Sequence, residues 1–266
     1  MDVPDYTLLD RPDISSRTFH LDSDGIPNLF GKWEPLPDGA SSHVVTIAGV
    51  SLACRLFLHN KNSPSVLFFH GNGEVVSDYN HLYRHTYERG INFFAAEYRG
   101  YGSSYGAPQY STMLSDAHHI YRYFRNYLEG QSFGGKVFVM GRSLGAASAL
   151  ELAAYYQDYF DGVIIESGSA GLNGWDRWFQ ESADRTKLHI LQISHTAKLK
   201  QIQIPLLTIH GGSDNMVPLE SAFELQDMVS SEVKALTVIP KVGHNTIFLL
   251  GIQEYIEALG SFINTV

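Results

Sequence analysis

Two short segments of the sequence match the pattern Gly-x-Ser-x-Gly, in which a serine hydroxyl can act as a nucleophile. They are Gly141-Arg-Ser-Leu-Gly145 and Gly102-Ser-Ser-Tyr-Gly106. The chemistry needs the serine on a tight turn between a strand and a helix, where small neighbours let the backbone come close. A strand-like run precedes Ser143 and good helix formers follow it, whereas Pro108 opposes a helix after Ser104. The sequence therefore predicts Ser143 as the nucleophile.

A serine hydroxyl needs a neighbouring base, and histidine is the usual one. In folds that use this turn, the order along the chain is serine, then an acid, then histidine. His244 fits that order and lies in a polar loop that contains glycine. Asp214 and Glu166 each follow a strand-like run and are both candidates for the acid. We favour Asp214, because a glycine turn precedes it and a loop and a helix follow it, and Glu166 stays the alternative.

The developing negative charge on a substrate oxygen also needs hydrogen-bond donors. The segment His70-Gly-Asn-Gly-Glu74 follows a strand-like run, and its glycines let the backbone fold towards such an oxygen. We therefore predict an oxyanion hole made by the backbone N–H groups of Asn72 and of Leu144, the residue after the nucleophile.

The elements that must position these residues emerge from residue 43 onward, where short apolar runs alternate with longer helix-like stretches. After a hairpin at 43–58, the predicted strands are 66–69, 92–97, 136–140, 162–165, 205–210 and 235–239. The predicted helices are 75–89, 111–128, 144–156, 219–229 and 247–263. This alternation predicts one α/β domain over residues 1–266, with a doubly wound, mostly parallel sheet that begins with antiparallel strands. Residues 1–42 hold five prolines and are predicted to be irregular surface chain without a part in catalysis.

One long interval interrupts the alternation, and within it we predict a short helical lid at residues 168–199. Trp175, Trp178 and Phe179 fall at helical spacing and would form one aromatic face. We predict these three residues, together with Glu74, as substrate-binding residues. The alternative is that the aromatic face only packs the lid against the domain.

Taken together and in order, the motifs resemble those of the α/β-hydrolase superfamily. They are His70-Gly-Asn-Gly, Glu97-Tyr-Arg-Gly-Tyr-Gly-Ser-Ser, Gly141-Arg-Ser-Leu-Gly, His210-Gly-Gly-Ser-Asp-Asn-Met-Val-Pro and Gly243-His-Asn. The combination is most similar to the branch of Bem46-like hydrolases and depalmitoylating serine hydrolases. That resemblance implies an α/β-hydrolase fold and the activity of an esterase or a thioesterase.

Composition excludes several other classes of function. A net charge of −9 would repel phosphate backbones, so we expect no nucleic-acid partner. No stretch approaches the length of a transmembrane helix and the amino terminus does not resemble a signal peptide, which predicts a cytoplasmic protein. His81 and His85 stand one helical turn apart but lack a third ligand at a recognisable spacing, and glycine-rich phosphate loops are missing. We expect no metal and no cofactor.

Three functions remain open on the sequence alone. The first is a serine hydrolase that cleaves a small acyl ester or thioester through an acyl-enzyme. The second is an amide-cleaving, aminopeptidase-like hydrolase in which Glu74 or Glu166 binds a substrate amine. The third is a non-catalytic binding protein on a hydrolase scaffold.

Overall fold

The computed structural model describes residues 4–19, 36–172, 175–179 and 181–266. Within these ranges, eight strands form one sheet in the order β1-β2-β4-β3-β5-β6-β7-β8. The strands β1 and β2 pair antiparallel, β2 also runs antiparallel to β4, and all other neighbours are parallel. The predicted doubly wound sheet with antiparallel strands at its start is therefore confirmed.

The strands are β1 (Ala40–Ile47), β2 (Val50–Phe57), β3 (Ser65–Phe69), β4 (Asn92–Ala96), β5 (Val137–Arg142), β6 (Gly162–Glu166), β7 (Leu206–Gly211) and β8 (Lys234–Ile239). The α-helices are α1 (Pro12–Thr18), α2 (Asn80–Glu88), α3 (Tyr110–Gly130), α4 (Ala146–Tyr155), α5 (Ser182–Leu199), α6 (Glu220–Met228), α7 (Ile247–Leu250) and α8 (Ile252–Thr265). Shorter 3-10 turns lie at Tyr6–Asp10, Val76–Tyr79, Ser143–Gly145 and Trp175–Trp178.

The central strands are buried on both faces, which explains why they read as unbroken apolar runs. In β3, Leu67 and Phe69 pack with helices α3 and α4, while Val66 and Phe68 pack on the opposite side with α2 and α8. Successive side chains of a strand point to opposite faces, so each strand supplies both halves of the core. All the parallel strands end at the same edge, and the loops that leave this edge carry the predicted site.

The amino-terminal segment differs from the prediction of irregular chain. Residues 6–10 form a 3-10 turn and residues 12–18 form α1, both packed into the core through side chains such as Leu9 and Ile14. Pro12 occupies the first position of α1, where a proline is favoured because its missing N–H would be unpaired in any helix. Pro12 is one of the five prolines that favoured irregular chain, yet it begins a helix. Within the predicted irregular segment, residues 1–3 and 20–35 lie outside the described residues.

A buried chain of polar contacts fastens helix α5 to this segment and to helix α4. The Tyr6 hydroxyl donates to Nδ1 of His195 at 2.8 Å and accepts from Nζ of Lys198 at 2.5 Å. Nε2 of His195 donates to the Ala170 carbonyl at 2.7 Å, and Lys198 also pairs with Glu151 of α4. Burial, together with the charge of Lys198, lowers the pKa of His195 to about 4, which keeps the ring neutral at pH 7. A neutral ring is what this pattern of one donated and one accepted bond requires.

Across the described ranges of the chain, we find no helix with the length and apolar character needed to span a bilayer.

Candidate active site

Ser143 lies on a turn between β5 and α4 that leaves no room for larger neighbours. Its φ angle is +49°, in the left-handed region that side chains other than glycine rarely adopt. A Cβ at Gly141 would lie 2.3 Å from the Gly145 carbonyl oxygen, and a Cβ at Gly145 would lie 2.2 Å from the Phe69 carbonyl oxygen. Both flanking glycines are therefore required by close packing, as the sequence argument for this turn assumed.

The structure brings the three residues predicted for proton transfer into one hydrogen-bonded line. Nε2 of His244 is 3.0 Å from Oγ of Ser143, and Nδ1 of His244 is 2.7 Å from Oδ2 of Asp214. Because the carboxylate can only accept, Nδ1 carries the proton and Nε2 presents its lone pair to the serine. This arrangement has the geometry of a nucleophile, a base and an acid that orients the base.

Asp214 is held as a carboxylate by its surroundings. Oδ1 accepts the backbone N–H groups of Met216 at 2.9 Å and Val217 at 2.8 Å, which leaves Oδ2 for His244. Burial alone would raise the pKa of Asp214, but the N–H of Val217 and the ring of His244 outweigh it, so the pKa lies below its ordinary value. The group therefore stays negative while it orients the histidine.

The alternative acid and the alternative nucleophile have other partners. Both carboxylate oxygens of Glu166 accept hydrogen bonds from Nη1 of Arg142, at 2.7 and 2.6 Å, and the side chain is fully buried. Oγ of Ser104 accepts the backbone N–H of Ala53 at 2.9 Å, and Ser104 does not line the cavity over Ser143. The geometry thus favours Asp214 and Ser143 for the predicted roles.

The predicted oxyanion donors both lie beside Ser143, since Asn72 and Leu144 line the same cavity. The loop that carries Asn72 is fixed through its side chain. Nδ2 of Asn72 donates to the Thr18 carbonyl at 2.7 Å, and Oδ1 accepts the Tyr101 hydroxyl at 2.8 Å. Because Thr18 ends α1, the amino-terminal segment contacts the loop predicted to bind the oxyanion, which the sequence did not reveal.

The same loop begins with a buried ion pair. Nε2 of His70 lies 2.5 Å from Oε1 of Glu97, and both side chains are buried. Burial alone would lower the pKa of His70, but the charge of Glu97 outweighs it and raises the pKa. The Tyr98 hydroxyl also donates to the His70 carbonyl at 2.8 Å. The motif that begins at His70 and the motif that begins at Glu97 therefore contact each other beneath the loop of Asn72.

A cavity of about 540 Å³ opens over Ser143 and is lined mainly by apolar groups. Trp175 and Trp178 line it, with their ring centroids 4.9 Å apart, and Tyr110 lies edge-on to Trp175 at 5.4 Å. Residues of the predicted lid segment 168–199 thus form one wall of the cavity. Sequence reasoning did not single out several further lining residues, because no chemical group marks them and only the fold brings their segments together: Tyr110, Ala147, Ser169, Leu172, Met216, Val217 and Asn245.

Phe179 does not lie with Trp175 and Trp178 on the predicted aromatic face. It is 1% exposed, lies outside the cavity lining, and packs beneath the guanidinium of Arg11 at 5.6 Å. The physical reason is that the tryptophans belong to a 3-10 turn that ends at Trp178, so the expected α-helical face does not continue to Phe179. We therefore withdraw Phe179 from the substrate-binding residues and assign it to the core.

Glu74, which was predicted to bind substrate, lines the cavity, but its carboxylate is already paired. Oε1 accepts Nε of Arg142 at 2.7 Å, while Oε2 accepts the Gly71 N–H at 2.6 Å and the Tyr79 hydroxyl at 2.5 Å. Burial alone would raise the pKa of Glu74, but the charge of Arg142 outweighs it and the pKa lies below its ordinary value. Arg142 is a further residue of the site that the sequence reasoning missed, although a charged residue inside an otherwise small and apolar motif was a signal for it.

Comparison with known proteins places the chain in a family. A family model described as serine aminopeptidase S33 matches residues 60–192, which is half of the chain. The chain belongs to the α/β-hydrolase superfamily, in its Bem46-like branch. The family model carries the name of one activity, whereas the fold and the superfamily accommodate several.

Its relatives are distant but cover most of the chain. Uncharacterized protein Rv2307c of Mycobacterium tuberculosis is 28% identical over 86% of this chain and 80% of its own length. Human alpha/beta hydrolase domain-containing protein 17B is 26% identical over 82% and 73%, and protein bem46 of Schizosaccharomyces pombe is 26% identical over 80% and 73%. Among solved structures, the esterase Pf2001 of Pyrococcus furiosus superposes with a TM-score of 0.70 and 17% identity, over 90% of this chain and 98% of that one.

Substitution of the two acids separates their roles. Asp214→Asn should reduce kcat by several orders of magnitude, about 10⁴-fold in the worked serine-protease case, because the orienting carboxylate is lost. Glu166→Gln should reduce kcat much less, since its oxygen still accepts from Arg142. Steady-state kinetics on a chromogenic ester measures both variants, and the opposite ranking would assign the acid role to Glu166.

The pH dependence should report a single group. The value of kcat/KM should fall in acid because only a neutral His244 ring accepts the serine proton. The lowered pKa of Asp214 keeps its carboxylate ionised through mild acid, so it adds no second titration. We expect a limiting slope of about 1 in log kcat/KM against pH. Activity that stays flat down to about pH 4 in protein that circular dichroism shows to be folded would contradict a histidine base.

Proposed function

We propose that this protein is a serine hydrolase that cleaves carboxylic esters or thioesters of small acyl groups. The observation that carries the proposal is the line of contacts from Asp214 through His244 to Ser143, which ends in an apolar cavity. Membership of the α/β-hydrolase superfamily and the likeness to an esterase fold support it.

In the proposed mechanism, His244 takes the proton of Ser143 as the serine oxygen attacks the acyl carbonyl carbon. The carbonyl oxygen becomes an oxyanion, which the backbone N–H groups of Asn72 and Leu144 stabilise. His244 then gives the proton to the departing alcohol or thiol, and the acyl group stays on the serine. A water molecule, deprotonated by His244, attacks this acyl-enzyme, and the acid is released with the serine restored.

The charges around the cavity favour esters and thioesters over aminoacyl amides. A substrate ammonium group would need an available carboxylate, and Glu74 and Glu166 were the candidates for it. Both are paired with Arg142, and Glu166 is fully buried and outside the cavity lining. Among the described lining residues, Glu74 is the one carboxylate, and its oxygens already accept three hydrogen bonds. An amine there would have to displace a buried guanidinium.

The aromatic wall points to the acyl side of the substrate. Trp175, Trp178 and Leu172 line the cavity next to Leu144 and Ala147, which flank the serine on α4 and its turn. An apolar acyl group gains free energy by covering these surfaces, at about 25 cal/mol per Å² removed from water. Because these bulky side chains bound the cavity, they should limit the enzyme to acyl chains of short or medium length.

Labelling followed by a substrate panel tests the proposal. A fluorophosphonate should modify wild-type protein and the Ser104→Ala control but not Ser143→Ala, as measured by intact-protein mass. The same protein should also hydrolyse p-nitrophenyl esters and acyl thioesters. It should not hydrolyse aminoacyl amides better when they carry a free amino group. Absence of labelling at Ser143 would favour a binding protein, and a gain from the free amine would favour an aminopeptidase.

Trp178→Ala should enlarge the acyl site and move the preferred p-nitrophenyl ester towards longer chains. The matched control is Phe179→Ala, because the neighbouring ring is buried in the core instead of lining the cavity. That variant should lose about 3–5 kcal/mol of stability and keep the wild-type order of chain-length preference. Thermal unfolding and the chain-length series are measured on both proteins. An unchanged preference in Trp178→Ala would exclude the tryptophan from the acyl site.

A further inference from the structure

Arg142, the last residue of β5, places its guanidinium beneath the site and is buried, with 3% of the side chain exposed. Its side chain makes four polar contacts. Nε donates to Glu74, Nη1 donates to both oxygens of Glu166, and Nη2 donates to the backbone carbonyl of His244 at 3.0 Å. The ring of Phe248, four residues after the histidine, packs against the guanidinium at 5.1 Å.

These partners come from two loops and one strand end at the carboxyl edge of the sheet. Glu74 closes the loop that carries Asn72, Glu166 ends the neighbouring strand β6, and His244 belongs to the loop after β8. Arg142 itself directly precedes Ser143. One side chain therefore joins the segments that hold the proposed nucleophile, the base and an oxyanion donor.

The chemistry of guanidinium suits this position. It is planar and presents five N–H donors in fixed directions, whereas a lysine ammonium is a compact charge on a flexible stem. Burial alone would lower the pKa of Arg142, but the charges of Glu166 and Glu74 outweigh it and hold the pKa well above its ordinary value. The residue is permanently charged and its donors point in three directions at once.

We infer that Arg142 is a positioning residue, which sets the relative placement of Ser143, His244 and Asn72 through its bonds to the His244 carbonyl and to Glu74. The inference rests on the proposed function, because it concerns the same reaction. A displacement of about 1 Å in a reacting group can cost about 100-fold in rate, so loss of this link should act on the chemical step. Substrate contacts are left in place, since Arg142 does not line the cavity.

Arg142→Lys tests the inference, with Arg99→Lys as the matched control. Arg99 makes a similar two-bond ion pair with Asp116, at 2.6 and 2.8 Å, and does not line the cavity. The fluorophosphonate-reactive fraction is titrated first, and turnover of a p-nitrophenyl ester is then expressed per titrated site. For Arg142→Lys we expect kcat per site and the labelling rate to fall about 100-fold with KM changed little. Arg99→Lys should keep the wild-type kcat per site.

The titration separates positioning from folding. A purely structural arginine would lower the number of titrated sites and leave the turnover of each one at the wild-type value, and that result would overturn the inference. If Arg142→Lys yields no folded protein, Glu74→Ala decides, because it removes the oxygen that accepts the bond from the guanidinium to the loop of Asn72. Its kcat per site should also fall, and an unchanged value would overturn the inference. A wild-type protein that is not labelled at Ser143 would instead contradict the proposed function.

Discussion

The closeness of the backbone around Ser143 is the constraint on which the site depends. Strand β5 must turn into α4 within three residues, and Gly145 passes so near the Phe69 carbonyl that no side chain fits. This contact fixes α4 against β3, and β3 leads directly into the loop of Asn72. The turn between β5 and α4 therefore sets the position of Ser143 and the direction of the neighbouring loop together. The cost is a strained φ angle at Ser143, of the kind found at functional sites.

Much of the fold was predictable because its elements repeat simple patterns. Buried parallel strands give short apolar runs, and the crossover helices between them give longer amphipathic ones, so most predicted bounds fall within a few residues of the observed ones. Ser143, Asp214 and His244 were predictable for another reason. Each follows or lies close to the carboxyl end of a strand, and the topology of a parallel sheet brings those ends together.

What the sequence did not reveal depends on contacts between distant segments. Pro12 begins a helix because the core accepts Leu9 and Ile14, and no local pattern encodes that docking. Phe179 leaves the aromatic face because a 3-10 turn has a different period from the α-helix that was assumed. The pairing of Glu74 with Arg142 removes a carboxylate that looked available for a substrate amine. In each case the deciding partner is remote in sequence or the turn type is set by packing.

The anchoring of α5 has a consequence for how substrate reaches the serine. Lys198 and Glu151 are a buried ion pair, and separating such a pair by removing one partner typically costs about 3–5 kcal/mol, before the bonds of Tyr6 and His195 are counted. Helix α5 is therefore held in place instead of hinged, and it follows the turn of Trp175 and Trp178 that lines the cavity, which already opens to solvent. A preformed opening needs no aggregated substrate to displace a flap, so under the proposed function the rate of hydrolysis should follow the concentration of dissolved monomeric substrate and show no jump at the critical micelle concentration.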